Sequence, residues 1–384
     1  MPPARSLFWA IAVCPLLLTA CESPPAPELR IGLIGVFEGS AKTSSGVPAQ
    51  NAARMAVDEL NASGGALING VNHRLTLIER ATANRPDAAA AAARALINLD
   101  SVDVLVGPQF SPLAVAAGAV AEESQIPLVA PMASSPKVTE GRAYVTRLAF
   151  LDAEQGEVLA RFAYDSLQLR RTAALFNAAS DYSRGVVDLF SRTFVRLGGR
   201  VVRVETYNID DPGDQRAQIA RIMQDAPDAV LLPNFSVRDS SQVRLFRESG
   251  FRGRFLGSDA WDAIALRGRG FIDGSIIVGN WDGRSDREGV RLFRERWTAR
   301  YLGERPRATG AATYDAIRLI ARAAEKARSK SGLPLVRALR QGMPFDGAFA
   351  SYRFDGTGNP IRGATLLEMA KDSLVFRVTL APMR

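Results

Sequence analysis

Five short stretches hold the side chains able to do chemistry. The first, Gly35-Val36-Phe37-Glu38-Gly39-Ser40-Ala41-Lys42-Thr43, follows an apolar run and precedes a helix-like pattern. A phosphate-binding loop needs glycine, four residues, then glycine-lysine-serine or threonine, so that successive backbone N–H groups wrap the phosphate beneath the lysine. Here the spacing is one residue too long, and Ala41 replaces the glycine whose freedom lets the backbone curl. The stretch does not read as a phosphate cradle. The second, Gly107-Pro108-Gln109-Phe110-Ser111-Pro112, puts Ser111 where a helix N-cap should be. Its hydroxyl either caps its own helix or joins free helix N–H groups in holding an anion such as a carboxylate. Ala130-Pro131-Met132-Ala133-Ser134-Ser135-Pro136 is similarly small and rich in hydroxyls, and Ser180-Asp181-Tyr182-Ser183-Arg184-Gly185 offers an aromatic. In Gly257-Ser258-Asp259-Ala260-Trp261-Asp262, Asp259 is either a turn or capping acid or a counter-charge for a cation such as an ammonium.

Other chemistries are excluded. His73 is the sole histidine, which removes Ser-His-Asp triads and nearly every familiar zinc site. It lies between Asn72 and Arg74, where a turn is expected. Glu122 and Glu123 stand side by side on a helix surface, and no metal-spacing cluster or cofactor motif appears, so the chain does not read as an enzyme. The formal charge of +8 invites a nucleic-acid reading, but the arginines alternate with acids, as in Arg284-Ser285-Asp286-Arg287-Glu288, without interleaved aromatics. Solvated faces explain them better.

The first residues carry one charge at Arg5, an apolar run from Leu7 to Leu18, and small residues before Cys21. This is a secretory leader, too short to span a membrane. Leu18-Thr19-Ala20-Cys21 matches the lipobox of bacterial lipoproteins, in which the cysteine is diacylated and becomes the first residue. Residues 1–20 are then signal peptide, and 21–28 a proline-rich tether holding the body away from the bilayer. Cys14 leaves with the leader and Cys21 is acylated, so the exported body contains no disulfide.

The stretches above must be positioned by something, and the body supplies α/β repetition. Leu29–Val36, Leu75–Ile78, Val102–Val106 and Pro127–Ala130 read as buried strands, with Pro48–Ala62, Pro86–Leu99 and Pro112–Ser124 as helices between them. The rhythm restarts after Leu151, with strands at Ala173–Phe176, Val201–Glu205, Ala229–Leu232 and Phe255–Leu256. Such alternation predicts parallel sheets with helices on both faces. Ligands then bind beyond the carboxyl ends of the strands, at the loops entering the helices.

Taken in order, IGLIGV, GVPAQNAARMAVDELNASGG, VDVLVGPQFSP, IPLVAPMASSP, FLDAEQG, SDYSRG, PDAVLLP and FLGSDAW resemble the type I periplasmic solute-binding proteins of the branched-chain amino-acid family. The likeness runs from about Leu29 to Tyr352. It implies two Rossmann-like lobes with parallel central sheets, joined by three hinge crossovers near Phe150, Asn280 and Tyr352, closing on a small ligand. Lobe 1 is expected to comprise 29–150 with 281–351, and lobe 2 151–280 with 352–384. Ser111 matches the serine that binds an amino acid's α-carboxylate, and Ser134 the hydroxyl residue contacting the amino-acid core. Met132 supplies a carbonyl to the ammonium, Asp259 matches the acid that pairs with it, and Tyr182 the aromatic brought down by the second lobe. Phe150 and Phe235 are candidates for cleft walls, and Ser45 stands where some relatives place a tyrosine. The opening loop, Glu38 to Gly46, would line the rim beside the side-chain pocket. The resemblance implies a lipid-anchored receptor on the periplasmic face of the envelope, with no cofactor, that delivers an amino acid or related small carboxylate or amide to ABC permease subunits. The alternative is a lipoprotein of the same fold that senses for, or regulates, another envelope protein.

Overall fold

A computed structural model describes residues 26–39, 41–208, 215–234, 236–261, 270–341, 344–370 and 373–381. The expected leader, Cys21 and Phe235 lie outside the described residues. The chain begins with β1 (Glu28–Gly35), α1 (Val47–Ala62), β2 (Ala66–Ile68), β3 (Val71–Ala81), α2 (Pro86–Asn98), β4 (Val104–Val106), α3 (Ser111–Glu123), β5 (Leu128–Ala130) and β6 (Val145–Arg147). These strands form one sheet in the order β2-β3-β1-β4-β5-β6, parallel except for the β2–β3 hairpin at its edge. β1 is buried along most of its length because helices cover both faces of a parallel sheet. Each of α1, α2 and α3 carries a proline in its first turn, where a missing N–H costs nothing.

A second sheet follows. After α4 (Asp152–Arg161) come β7 (Arg171–Asn177), α5 (Asp181–Arg196), β8 (Arg200–Tyr207), α6 (Arg216–Gln224), β9 (Ala229–Leu232), α7 (Ser236–Glu248), β10 (Arg254–Gly257) and β11 (Ile276–Gly279). The chain then returns to the first sheet as α8 (Glu288–Arg300), α9 (Ala308–Ala327) and α10 (Gly332–Arg340) and makes a three-stranded flap of β12 (Phe345–Asp346), β13 (Ser351–Phe354) and β14 (Pro360–Ile361). It ends as β15 (Ala364–Ala370) and β16 (Ser373–Leu380), which extend the second sheet antiparallel: β16-β15-β11-β10-β9-β7-β8. The fold is the two-lobed α/β architecture of type I periplasmic binding proteins.

Each sheet has its own core. Leu29, Ile31 and Leu33 pack with Trp297, Ile317 and Tyr352, whereas Phe150, Phe190, Phe194 and Leu256 form the second sheet's core. The chain changes core between Leu148 and Phe150, between Val278 and Trp281, and between Phe354 and Ala364. The third crossing therefore falls later than Tyr352, because that ring and Phe354 are held in the first core by the flap. His73 is also not in a turn: it sits in β3 opposite Ala66.

The three crossings meet at Arg362, whose side chain is 3% exposed. Its guanidinium donates to the Leu148 carbonyl at 3.3 Å and the Asn280 carbonyl at 2.7 Å, one on each of the other two crossings. It lies over the rings of Phe349 at 4.2 Å and Phe150 at 5.4 Å. Burial lowers its pKa to about 10, which still leaves it charged at neutral pH. Arg362→Met removes both donors and leaves two interior carbonyls unsatisfied, at about 1–3 kcal/mol each. The melting midpoint should fall by roughly 5–10 °C in a calorimetric scan. A change within a degree would show that the guanidinium does not hold the crossings.

Candidate functional site

The site is built where strands of both sheets give way to helices. Ser111 is the first residue of α3, one position beyond the N-cap Phe110, and makes no cap bond to its own helix. Its Oγ instead accepts the backbone N–H of Ser135 at 3.2 Å, so the hydroxyl ties the loop after β4 to the loop after β5 and keeps its proton for another acceptor. Met132, in that second loop, is partly buried against the first core. Ser134 is half-buried, and its carbonyl accepts the backbone N–H of Asp152 at 3.2 Å, the point at which the first lobe meets α4.

α4 carries two residues whose roles the sequence reading missed, Asp152 and Gln155. Gly156 brings this helix close to α5, since a Cβ there would lie 2.1 Å from the Val186 carbonyl oxygen. Gln155, fully buried, donates Nε2–H to Asp259 Oδ1 at 2.7 Å and accepts the Asp259 backbone N–H at 2.8 Å. Tyr182 donates its hydroxyl to the same Oδ1 at 2.7 Å, and Asn280 donates to Oδ2 at 2.9 Å. The loop bearing Asp259 is pinned by Trp261, whose indole N–H donates to the Leu232 carbonyl at 2.9 Å. Asp259 is thus held by three neutral donors, and among the described residues no arginine or lysine forms an ion pair with it.

Asp152 adds a second carboxyl. It is 7% exposed, and burial, followed by the negative charge of Asp259, raises its pKa to about 7, against the smaller opposing pulls of Ser134 and Arg147. The Tyr182 phenol is pushed well above its ordinary range by enclosure and by Asp259, so it remains a donor. One end of the site therefore offers hydroxyls and the N-terminus of a 13-residue helix, which suit an anion, and the other offers two carboxyls, which suit a cation. At the rim, Lys137 from the first lobe and Asp181 from the second approach to 3.2 Å, but both are exposed and such pairs contribute little.

Not every expected residue joins this site. Phe150 is buried in the second core, where its ring packs beneath Arg362 at the hinge. Ser45 makes no bond to the residues around Asp259 but stays in the connection leaving β1, buried in the helical turn Lys42–Gly46 that leads into α1. Asp152 and Gln155 had a usable signal in FLDAEQG, where an acid opens a helix just after a crossing and a glycine follows three residues beyond the alanine.

Two α/β lobes that present complementary polar groups at their strand ends define a solute-binding protein. A profile of the periplasmic binding protein family matches residues 28–373, and the chain belongs to that family. It is a periplasmic solute-binding chain and not an enzyme. It is 23% identical over 359 residues to a Leu/Ile/Val-binding protein homolog 2 of Brucella abortus, covering 93% of each chain. Among solved structures it is similar to a leucine-binding protein from Thermotoga maritima, with 26% identity and a TM-score of 0.73 over 92% of this chain and 99% of that one. It is also similar to a branched-chain amino-acid transporter substrate-binding protein from Streptococcus pneumoniae in complex with isoleucine, with 24% identity, TM-score 0.74 and coverage of 92% and 100%.

The raised pKa has a sign that can be tested. In the unfolded chain Asp152 ionises near its model-peptide value of 3.8, whereas in the folded protein it keeps its proton to about 7. Folding takes up a proton between these values, so the contribution of Asp152 to stability falls as pH rises through that window. Asp152→Asn, which stays neutral throughout, should gain stability over the parent from about pH 4 to about pH 7, with the gap constant above that. Urea unfolding across this range checks it, and a gap independent of pH would contradict the assignment.

Proposed function

We propose that the chain is a receptor, anchored to the membrane through diacylated Cys21, that closes its two lobes on a free α-amino acid and presents it to an ABC permease. The observation that carries this reading is Asp259, a carboxylate held by Tyr182, Gln155 and Asn280 with no cationic partner among the described residues. An ammonium would complete it, with the Asp152 carboxyl and the Met132 carbonyl as further acceptors. Ser111, Ser134 and the α3 N-terminus would take the α-carboxylate. The relatives whose names specify leucine or isoleucine support the ligand class. In this reading the first lobe is residues 29–149 with 281–361, the second is 150–280 with 362–384, and the lobes close about the crossings at Arg362. Closure removes water from a doubly charged ligand and replaces it with charge-assisted hydrogen bonds.

Asp259→Ala leaves the ammonium unpaired. The loss should be about 2–5 kcal/mol, or between roughly thirtyfold and several thousandfold in Kd, by isothermal titration against the amino acid that most raises the melting midpoint of the parent. Unchanged affinity in a folded variant would remove Asp259 from the ligand site.

A further inference from the structure

Gln109 is out of keeping with the other buried amides of the chain. It is 3% exposed, and neither its Oε1 nor its Nε2 has a hydrogen-bond partner. Buried amides elsewhere are engaged: Gln155 grips Asp259 at both ends, and Asn234 and Gln242 bond to one another and to their surroundings. Among the buried amides of the described residues Gln109 alone has both ends unpartnered. A buried amide with no partner costs stability that a leucine of similar size would not. Its position is two residues before Ser111, in the loop leaving β4. Ser45, 4% exposed, also lacks a partner for its hydroxyl, and it lies in the segment leaving β1, the strand paired to β4 through Leu33 and Val106. Two unsatisfied polar side chains thus stand on adjacent loops at the strand ends that carry Ser111.

We infer that Gln109, supported by Ser45, is the specificity-determining residue of the pocket and selects an α-amino acid whose side chain ends in a neutral hydrogen-bonding group, best a carboxamide. A carboxamide facing Gln109 forms two self-complementary bonds, with Oε1 accepting an amide N–H and Nε2 donating to the amide oxygen. A branched aliphatic side chain would leave both ends unpaired inside a closed cleft and be rejected for that reason. The inference rests on the amino-acid reading above and narrows it away from the aliphatic ligands named for the relatives.

The test uses the purified protein, unfolded and refolded to free any co-purified ligand, titrated calorimetrically with glutamine, asparagine, leucine and isoleucine. The expected result is a carboxamide ligand bound at least about tenfold more tightly than either aliphatic one, the preference falling to parity or reversing in Gln109→Leu. Gln109→Met, unbranched and apolar, repeats the comparison should the leucine variant fold poorly. Tighter binding of leucine or isoleucine by the parent, or a ratio unmoved by both variants, overturns the pocket assignment and leaves the amino-acid reading standing. Absence of binding by all four, and by the remaining natural amino acids, to a folded parent overturns the amino-acid reading and this inference with it.

Discussion

Arg362 occupies the place where three passages of chain run between two separately packed sheets, and its guanidinium bonds to a backbone carbonyl on each of the other two. Each lobe buries its own apolar residues in a separate core. What fixes their relation is a small region of crossing backbone, and that backbone carries interior carbonyls that must be satisfied. One cation with five donors in a rigid fork meets this demand with a single side chain. The stacked rings of Phe349 and Phe150 replace part of the water it gives up. Tyr352 and Asp315 complete the surroundings: Asp315 accepts the backbone N–H groups of Ala348 and Phe349 at 2.7 and 2.8 Å and the Tyr352 hydroxyl at 3.1 Å.

The site follows from that geometry. α4 begins immediately after the first crossing, and Asn280 lies on the second, so two of the groups around Asp259 are set directly by the hinge. Asp152 at the start of α4 is bonded through its backbone to Ser134, which joins the hydroxyl loops of the first lobe to the carboxyls of the second. A carboxylate surrounded by neutral donors, with a second carboxyl whose proton is retained by burial and by its neighbour, is a place prepared for positive charge. Hydroxyls and a helix N-terminus on the facing lobe are prepared for negative charge. The zwitterionic ends of an amino acid match both.

Most of the framework was legible because the parallel strands are brief apolar runs and several helices announce themselves with proline. The α/β order, the helix starts at Pro48, Pro86 and Pro112, and the family resemblance all came from local pattern. The errors arose where tertiary packing decides. Local pattern left Ser111 open between a helix cap and an anion site; it makes no cap bond, and its oxygen accepts an N–H from the loop after β5 while its proton stays available. Phe150 looked like a cleft wall, yet the hinge arginine claims its ring. The resemblance put a crossing near Tyr352, and the short flap that keeps that ring in the first core has no strong signal of its own. Asp152 and Gln155 were visible as letters of a motif, but their coupling to Asp259 spans a sequence separation of 104 residues for Gln155 and could not be read from spacing.

The central claim is that the cleft holds both charged ends of an α-amino acid, and matched ligands test it most directly. The amino acid that binds the refolded protein would be compared by isothermal titration with its deaminated carboxylic acid and its decarboxylated amine. The account predicts that each analogue loses at least about 2 kcal/mol relative to the parent ligand, because each strands one polar end of the site without a partner. A deaminated acid that binds as tightly as the amino acid would contradict it, and would mean that Asp259 and Asp152 face something other than an ammonium.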